Sequence, residues 1–390
     1  MSHNHPTHGD DASDRPLWER PGPELQCLAE VRPEGLYEAA RQLGQRVSAE
    51  RTGGASVARA LGRIAEALAD VRSREGTTFA VDIVDRLMPV EESDRGETDP
   101  LLRSVAARLV KTRHLRDLEP LFGESPEETW SPAVELRACL LGELSLMSSG
   151  GGRRSLDAYA DRLRELGHPL ARLPRTRLDV EHRFTIRVRG LGSIKTPKQL
   201  RSRFPEIPST GTGVAAGQAA GETRDDERAN MAKRPFLSGG WSREAEARFF
   251  TTPSALAPHD FGMSFIEELP LHCLEGEGRR RGSALACATT TDDVLNELFA
   301  AAYIGGVNGQ GQGGAYARLF AWDSLYALMG VPVGVPHLEA VRRAAEYRWL
   351  RFMAFTDWFH HDTSDVAFAV LDPNRTRVTV LAATDTDEEP

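Results

Sequence analysis

The chain has 390 residues, 40% of them hydrophobic and 27% charged, with a formal net charge of −9 at pH 7. That length suits two or three domains, and the acidic balance argues against wholesale binding to nucleic acid or to an anionic membrane. The four cysteines, Cys27, Cys139, Cys273 and Cys287, lie far apart without CxxC spacing, which excludes a zinc knuckle or redox motif and suits reduced thiols in a cytoplasm.

The chain opens without a basic and then apolar leader, and no apolar run approaches the roughly 18 residues of a membrane span, so a cytoplasmic protein is expected. Residues 1–24 are polar, rich in His, Asp and Pro, and lack apolar periodicity. They are expected to be a disordered tail, with His3, His5 and His8 hydrated rather than holding a metal.

From 25 to 170 the pattern is helical. In SVARALGRIAEALADVRSR the residues Val57, Leu61, Ile64, Leu68 and Val71 recur at alternating steps of four and three, one stripe along a helix. Helix starts are expected near 34, 55, 78, 99, 131 and 154, the fifth with Ser131 as N-cap and Pro132 in the first helical position. Their spacing leaves two arrangements open, a short solenoid of helix pairs and an irregular bundle.

The segment 171–204 carries ten basic and two acidic residues. Within it RLDVEHRFTIRVRG alternates, with Leu178, Val180, His182, Phe184, Ile186 and Val188 on one side, so a half-buried strand is expected, with His182 as a core histidine. Arg183, Arg187 and Arg189 would share its other face, where they could contact phosphates of a nucleic acid. No interleaved aromatics accompany them, and pairing with the chain's own carboxylates is preferred. Residues 205–235 lack a core pattern and are expected to be a flexible linker or loop.

Residues 236–390 mix elements. EAEARFF and SALACATT read as strands, and Thr291, with Asp292 and Asp293, is expected to cap a helix. The loop GGVNGQGQGG holds a GxGxxG at Gly309, Gly311 and Gly314 ahead of a helix whose amides could bind phosphate. A helix precedes the loop where a dinucleotide fold needs a strand, so a tight helix-to-helix turn is preferred. AYARLFAWDSLYALM is apolar nearly all round and should be buried at the domain centre, ending at Gly330. Pro336 opens a helix expected to carry Leu338, Val341, Ala345, Trp349 and Phe352 on one side, and VAFAVL and RVTVLAAT close the chain as a hairpin around DPNR.

Together SREAEARFFTTP (242–253), GGAYARLFAWDSLYALMG (313–330), DWF (357–359) and LAATDTD (381–387) resemble the bacterial family known as domain of unknown function 6183. The likeness covers mainly the last 150 residues or so. It implies that the C-terminal region is one unit, and it implies no activity, cofactor or catalytic residue.

No GxSxG, HExxH or kinase-type set occurs, and Cys273 beside His272 reads as a small buried residue. The densest polar stretch is DWFHHDTSD, 357–365. With a two- or four-residue turn at DPNR, Leu371 is expected opposite Thr376, Asp362 opposite Asp385 and His360 opposite Asp387. The hairpin mouth would then gather His360, His361, Asp362, Asp365, Asp385 and Asp387, oxygen and imidazole ligands suited to a divalent ion. A structural junction is preferred, with Trp358 and Phe359 buried and His360 to Asp365 facing water.

The expected fold class is α+β: a helical N-terminal domain followed by an α+β domain with an antiparallel C-terminal hairpin. The preferred function is a cytoplasmic, non-catalytic protein-interaction protein with no cofactor and a protein partner. Two alternatives stay open. One is an enzyme using the His/Asp cluster as a metal site, with the glycine loop holding a phosphate; the other is nucleic-acid binding through the arginines.

Overall fold

The computed structural model describes residues 16–50, 54–89, 95–147, 153–184, 214–241, 244–275, 284–307, 309, 311–354, 356–359 and 364–386. The chain divides into two units, Met1–Leu144 with Gly152–Ala171 and Ser145–Gly151 with Arg172–Pro390.

The first unit is helical: α1 Gly22–Val31, α2 Pro33–Glu50, α3 Gly54–Asp70, α4 Arg74–Arg86, α5 Arg95–Thr112, the single turn α6 Leu115–Leu118, α7 Pro132–Leu146, which runs two residues past the unit's boundary, and α8 Arg154–Glu165. Its hub is α3, which packs against α1, α2, α4 and α5 and buries Val57, Leu61, Ile64 and Leu68. Gly62 lets α5 approach, since a Cβ there would lie 2.7 Å from a methyl of Leu101. Ser131 and Pro132 open α7 as expected, with the Ser131 hydroxyl accepting from the Val134 amide at 3.3 Å. Order starts earlier than the sequence suggests, with a 3-10 turn at Leu17–Glu19 and α1 from Gly22. Residues 1–15, with His3, His5 and His8, lie outside the described residues.

The second unit contains α9 Val214–Gln218, β1 Gly221–Thr223, α10 Asp226–Leu237, β2 Ala245–Thr251, α11 Met263–Ile266, β3 Leu285–Ala288, α12 Thr291–Ile304, α13 Gly313–Met329, α14 His337–Ala344, β4 Arg348–Met353, β5 Ser364–Leu371 and β6 Arg377–Asp385. The fold is α+β. One six-stranded sheet, wholly antiparallel, has the order β1-β2-β6-β5-β4-β3. Phe250, Leu350, Phe352, Ala367, Ala369, Val378 and Val380 on one face pack against Leu256, Phe261, Phe265, Leu269 and Phe359. On the other face α10 and α13 pack on the sheet and, with α12, on one another. Because both faces are covered, β5 and β6 are nearly continuous apolar runs rather than alternating ones.

Several local expectations are corrected. Within the expected strand at 178–188, residues 179–181 form a 3-10 turn, and residues 185–189 lie outside the described residues. The side chain of Glu181 reaches back to the Leu178 amide at 2.6 Å and closes that turn, so Val180, Glu181 and Phe184 are buried while His182 is exposed. Residues 214–235 of the expected linker form α9, β1 and most of α10, which the capping side chain of Asp225 starts. The cap of α12 is Thr290, one residue before Thr291. Helix α14 ends at Ala344, and Trp349 and Phe352 belong to β4, on opposite faces of the sheet. The hairpin register is shifted by two: Leu371 pairs with Val378 and Ser364 with Asp385. Asp372 sets it, accepting from the Thr376 and Arg377 amides at 2.8 Å each.

Candidate functional site

Helix α13 is buried on every side from Gly314 to Met329 and takes two charged residues inside, Arg318 and Asp323. The fully buried Arg318 guanidinium donates to both carboxylate oxygens of the fully buried Glu181, at 2.7 Å each. Its remaining donors go to Ser145 Oγ at 2.9 Å, Pro174 O at 2.9 Å and Thr176 O at 3.0 Å. Trp322 Nε1 donates to the same carboxylate at 2.7 Å. Two desolvated charges are tolerable only when paired and hydrogen-bonded to this degree. One turn on, Asp323 accepts from Arg172 at 3.4 Å and Arg234 at 2.8 Å, and burial raises its carboxyl above the usual carboxylate range against the pull of both arginines. His337 packs edge-on against Trp322 and Tyr326. Burial, with Arg318 next in weight, pushes its pKa down to about 4, and Glu181 opposes the shift. The cluster is a structural lock: its donors and acceptors are met by the chain itself.

The residues expected at the hairpin mouth are only partly in view. His360, Asp362 and Asp387 lie outside the described residues. Asp365 accepts from the Thr384 hydroxyl at 2.8 Å, and the fully buried Asp385 accepts from the Val307 amide at 2.6 Å. Among the described residues no three His, Cys, Asp or Glu side chains are grouped to hold a metal ion. Phe359 is buried, whereas Trp358 is half-buried and donates to Glu244 at 2.6 Å.

Asp385 thus joins the hairpin to the glycine loop, which links α12 to α13. The Gly306 amide donates to Gly239 O at 2.9 Å, and a Cβ at Gly306 would lie 2.7 Å from Gly240 O. A Cβ at Gly311 would lie 2.6 Å from the carbonyl carbon of Tyr303. The Gly309 amide donates to Gly306 O at 3.1 Å, and Gly314 is buried in the first turn of α13. Close approach of backbone to backbone accounts for Gly306, Gly309 and Gly311. Arg183 pairs with Asp293 in the first turn of α12, and Arg187 and Arg189 lie outside the described residues. Cys273 is buried, and burial, followed by Glu246, holds its thiol well above the usual range.

Among the described residues, an opening that the sequence reading missed lies at the edge of the sheet. β1 pairs with only Phe249, Phe250 and Thr251 of β2, while β6 pairs with all of Ala245–Thr251. The Thr384 amide donates to Glu244 O and the Thr252 amide to Thr376 O, which fixes the parity: even-numbered residues of β2 bond to β6. The N–H and C=O of Ala245 and Ala247 therefore point to the β1 side, beyond the last residue of β1 that pairs there. Alongside runs a cleft of about 510 Å³ lined by β2 at Ala247, Arg248 and Phe249, by β1 at Glu222 and Thr223, by Arg224 and Asp225, which follow it, and by α10 at Asp226, Ala229 and Lys233. The missed signal was the strand GET, three residues inside a stretch read as linker.

Neither a curated protein nor a solved structure matches the chain. A family model described as a family of unknown function, DUF6183, matches residues 25–387. The match takes in the helical unit as well as the C-terminal region that carried the resemblance, and the chain belongs to the DUF6183 family.

Proposed function

We propose that the protein is a non-catalytic interaction protein of a bacterial cytoplasm that docks an extended segment of a partner protein along the edge of β2 that, among the described residues, β1 leaves unpaired. The observation that carries this reading is the pair of outward-facing backbone positions, Ala245 and Ala247, to which β1 offers no pairing residue. An exposed sheet edge is a template for strand addition, in which main-chain hydrogen bonds supply affinity and alternate side chains supply selectivity. The lock on α13 fits a supporting role for the interior polar groups, because Glu181 and Arg318 are spent on each other. A reducing cytoplasm suits Cys27, Cys139, Cys273 and Cys287, none of which is in a disulfide. A helical-repeat reading of the first unit is supported by its contacts, in which α1 meets α3, α2 meets α4 and α3 meets α5.

The test is a selection of extended decapeptides on the immobilised protein, followed by amide exchange on the complexes. Bound peptides should slow exchange at Ala245 and Ala247, and Ala247→Pro should weaken them at least roughly tenfold. Proline suits this edge because the amide it removes faces the cleft rather than β6, so the ladder survives. Peptides that bind equally well to the proline variant, or that protect other amides, would refute strand addition.

A further inference from the structure

We infer that Arg172 and Arg234 form a binding site for a phosphate monoester on the surface of the second unit. The site stands apart from the strand-addition reading and does not rest on it. Arg172, Arg234 and Asp323 all belong to the second unit. Arg172 Nη2 lies 3.4 Å from Oδ1 of Asp323, and Arg234 Nη1 lies 2.8 Å from Oδ2. One carboxylate therefore holds two guanidiniums, one on each of its oxygens, and brings both within reach of a single further anion.

Exposure separates these arginines from the lock on the same helix. Arg318 is wholly buried and spends its guanidinium on Glu181, Ser145, Pro174 and Thr176. Arg172 and Arg234 each leave 42% of the side chain in water, whereas Asp323 is 3% exposed. A ligand arriving from solvent meets the arginines before the carboxylate. Arg234 is also fixed in orientation, since its guanidinium lies 4.6 Å over the Phe320 ring. Its bond to Asp323 uses one of its donors, so most of the fork remains for water or a ligand.

A phosphate monoester suits this pair. It carries about −1.5 to −2 charge and three terminal oxygens, enough to serve two guanidiniums at once, and planar arginine forks match its geometry. A diester offers fewer free oxygens and less charge, and a carboxylate does the same. Asp323 does not bar the ligand, because burial already raises its carboxyl against the pull of both arginines and lets it take a proton as negative charge approaches.

The experiment titrates the full chain by calorimetry with phenyl phosphate, with sulfate, and with a short single-stranded oligonucleotide as the diester. Phenyl phosphate should bind most tightly of these. Arg172→Gln and Arg234→Gln should each weaken it at least about tenfold, and Arg234→Lys, which keeps the charge but not the fork, at least about threefold. Arg342→Gln, at an exposed arginine of α14, should leave it unchanged. A second measurement needs no variant: in wild type, phenyl phosphate should slow phenylglyoxal modification of Arg172 and Arg234 but not of Arg342, read by peptide mass spectrometry. Phosphoserine and adenosine monophosphate then divide the sources. Tighter binding of the first points to a phosphorylated protein and of the second to a nucleotide, and either supports the site. Unchanged affinity in both glutamine variants, or modification of the two arginines that phenyl phosphate does not slow, overturns the inference. Sulfate binding as tightly as phenyl phosphate would also overturn it, by reducing the site to one for any small anion, and tighter binding of the oligonucleotide would do so in favour of a nucleic-acid backbone.

Discussion

Glu181 falls on the polar face of the half-buried strand that the alternation in LDVEHRF suggests, yet it is fully buried and accepts from Arg318 and Trp322. Removing one member of a buried ion pair leaves the other unpaired and desolvated, at a cost of about 3–5 kcal/mol. Glu181→Leu and Arg318→Met should each lose stability on that order by urea unfolding. The double variant Glu181→Leu with Arg318→Met should lose less than the sum, by about 2–3 kcal/mol, because no lone charge remains. Additive losses would mean the pair is not coupled. His337 gives a pH signature. Its pKa in the fold is about 4 against about 6.5 in an unfolded chain, so between those values the unfolded state binds the proton and the folded state does not. Its contribution is therefore lost as pH falls from about 6.5 to about 4, and is unchanged above and below that window. His337→Phe should lose less stability than wild type between pH 7 and pH 4.5. The difference should be on the order of 1–2 kcal/mol, allowing for partial exposure of the ring. Equal losses would show that other groups govern that range.

The elements follow rules that can be stated at their ends. Gly330 takes φ +67° to stop α13, and Arg228 closes that end by donating to Ala327 O at 2.6 Å and Leu328 O at 3.3 Å. The opposite end of α13 depends on glycines without side chains in the way. Gly311→Ala should destabilise by about 1–3 kcal/mol, since its Cβ would press on the Tyr303 carbonyl. Gly96→Ala in α5 meets nothing within 4 Å and should be neutral or slightly stabilising, by up to roughly 1 kcal/mol. Thermal melts of the two variants check this, and a neutral Gly311→Ala would remove the packing account of the loop. The GxGxxG spacing was visible in sequence, but its cause was not, because Gly239, Gly240 and Asp385 come from distant parts of the chain.

Across the whole molecule, the lock formed by Glu181, Arg318 and Trp322 draws all its partners from the second unit, Ser145, Pro174 and Thr176 among them. Arg318→Ala should therefore speed amide exchange across 226–237, 313–329 and 364–385 while leaving α3, 54–70, unchanged. Equal acceleration in α3 would show that the two units open together. The ordered α10 predicts protection over 226–237 in wild type, although composition alone suggested a linker as far as residue 235.

Periodicity and punctuation determined most of the helices, the C-terminal hairpin and the α+β class, because those features depend on residues within a turn or two of one another. The stripe on α3, the cap of α7, the buried α13 and the end of that helix at Gly330 are all readable from neighbours in sequence. Tertiary structure alone decided where charge is buried and where the sheet is left open. Alternation at 178–184 mimicked a strand until Arg318, 137 residues from Glu181, drew that carboxylate inward and folded the segment into a turn. Among the described residues β2 has an unpaired edge at Ala245–Ala247 because β1 stops after three residues and β6, far along the chain, pairs with the whole strand from the other side. A difference in the length of two neighbours is a property of the assembled sheet, and no local pattern in either strand encodes it.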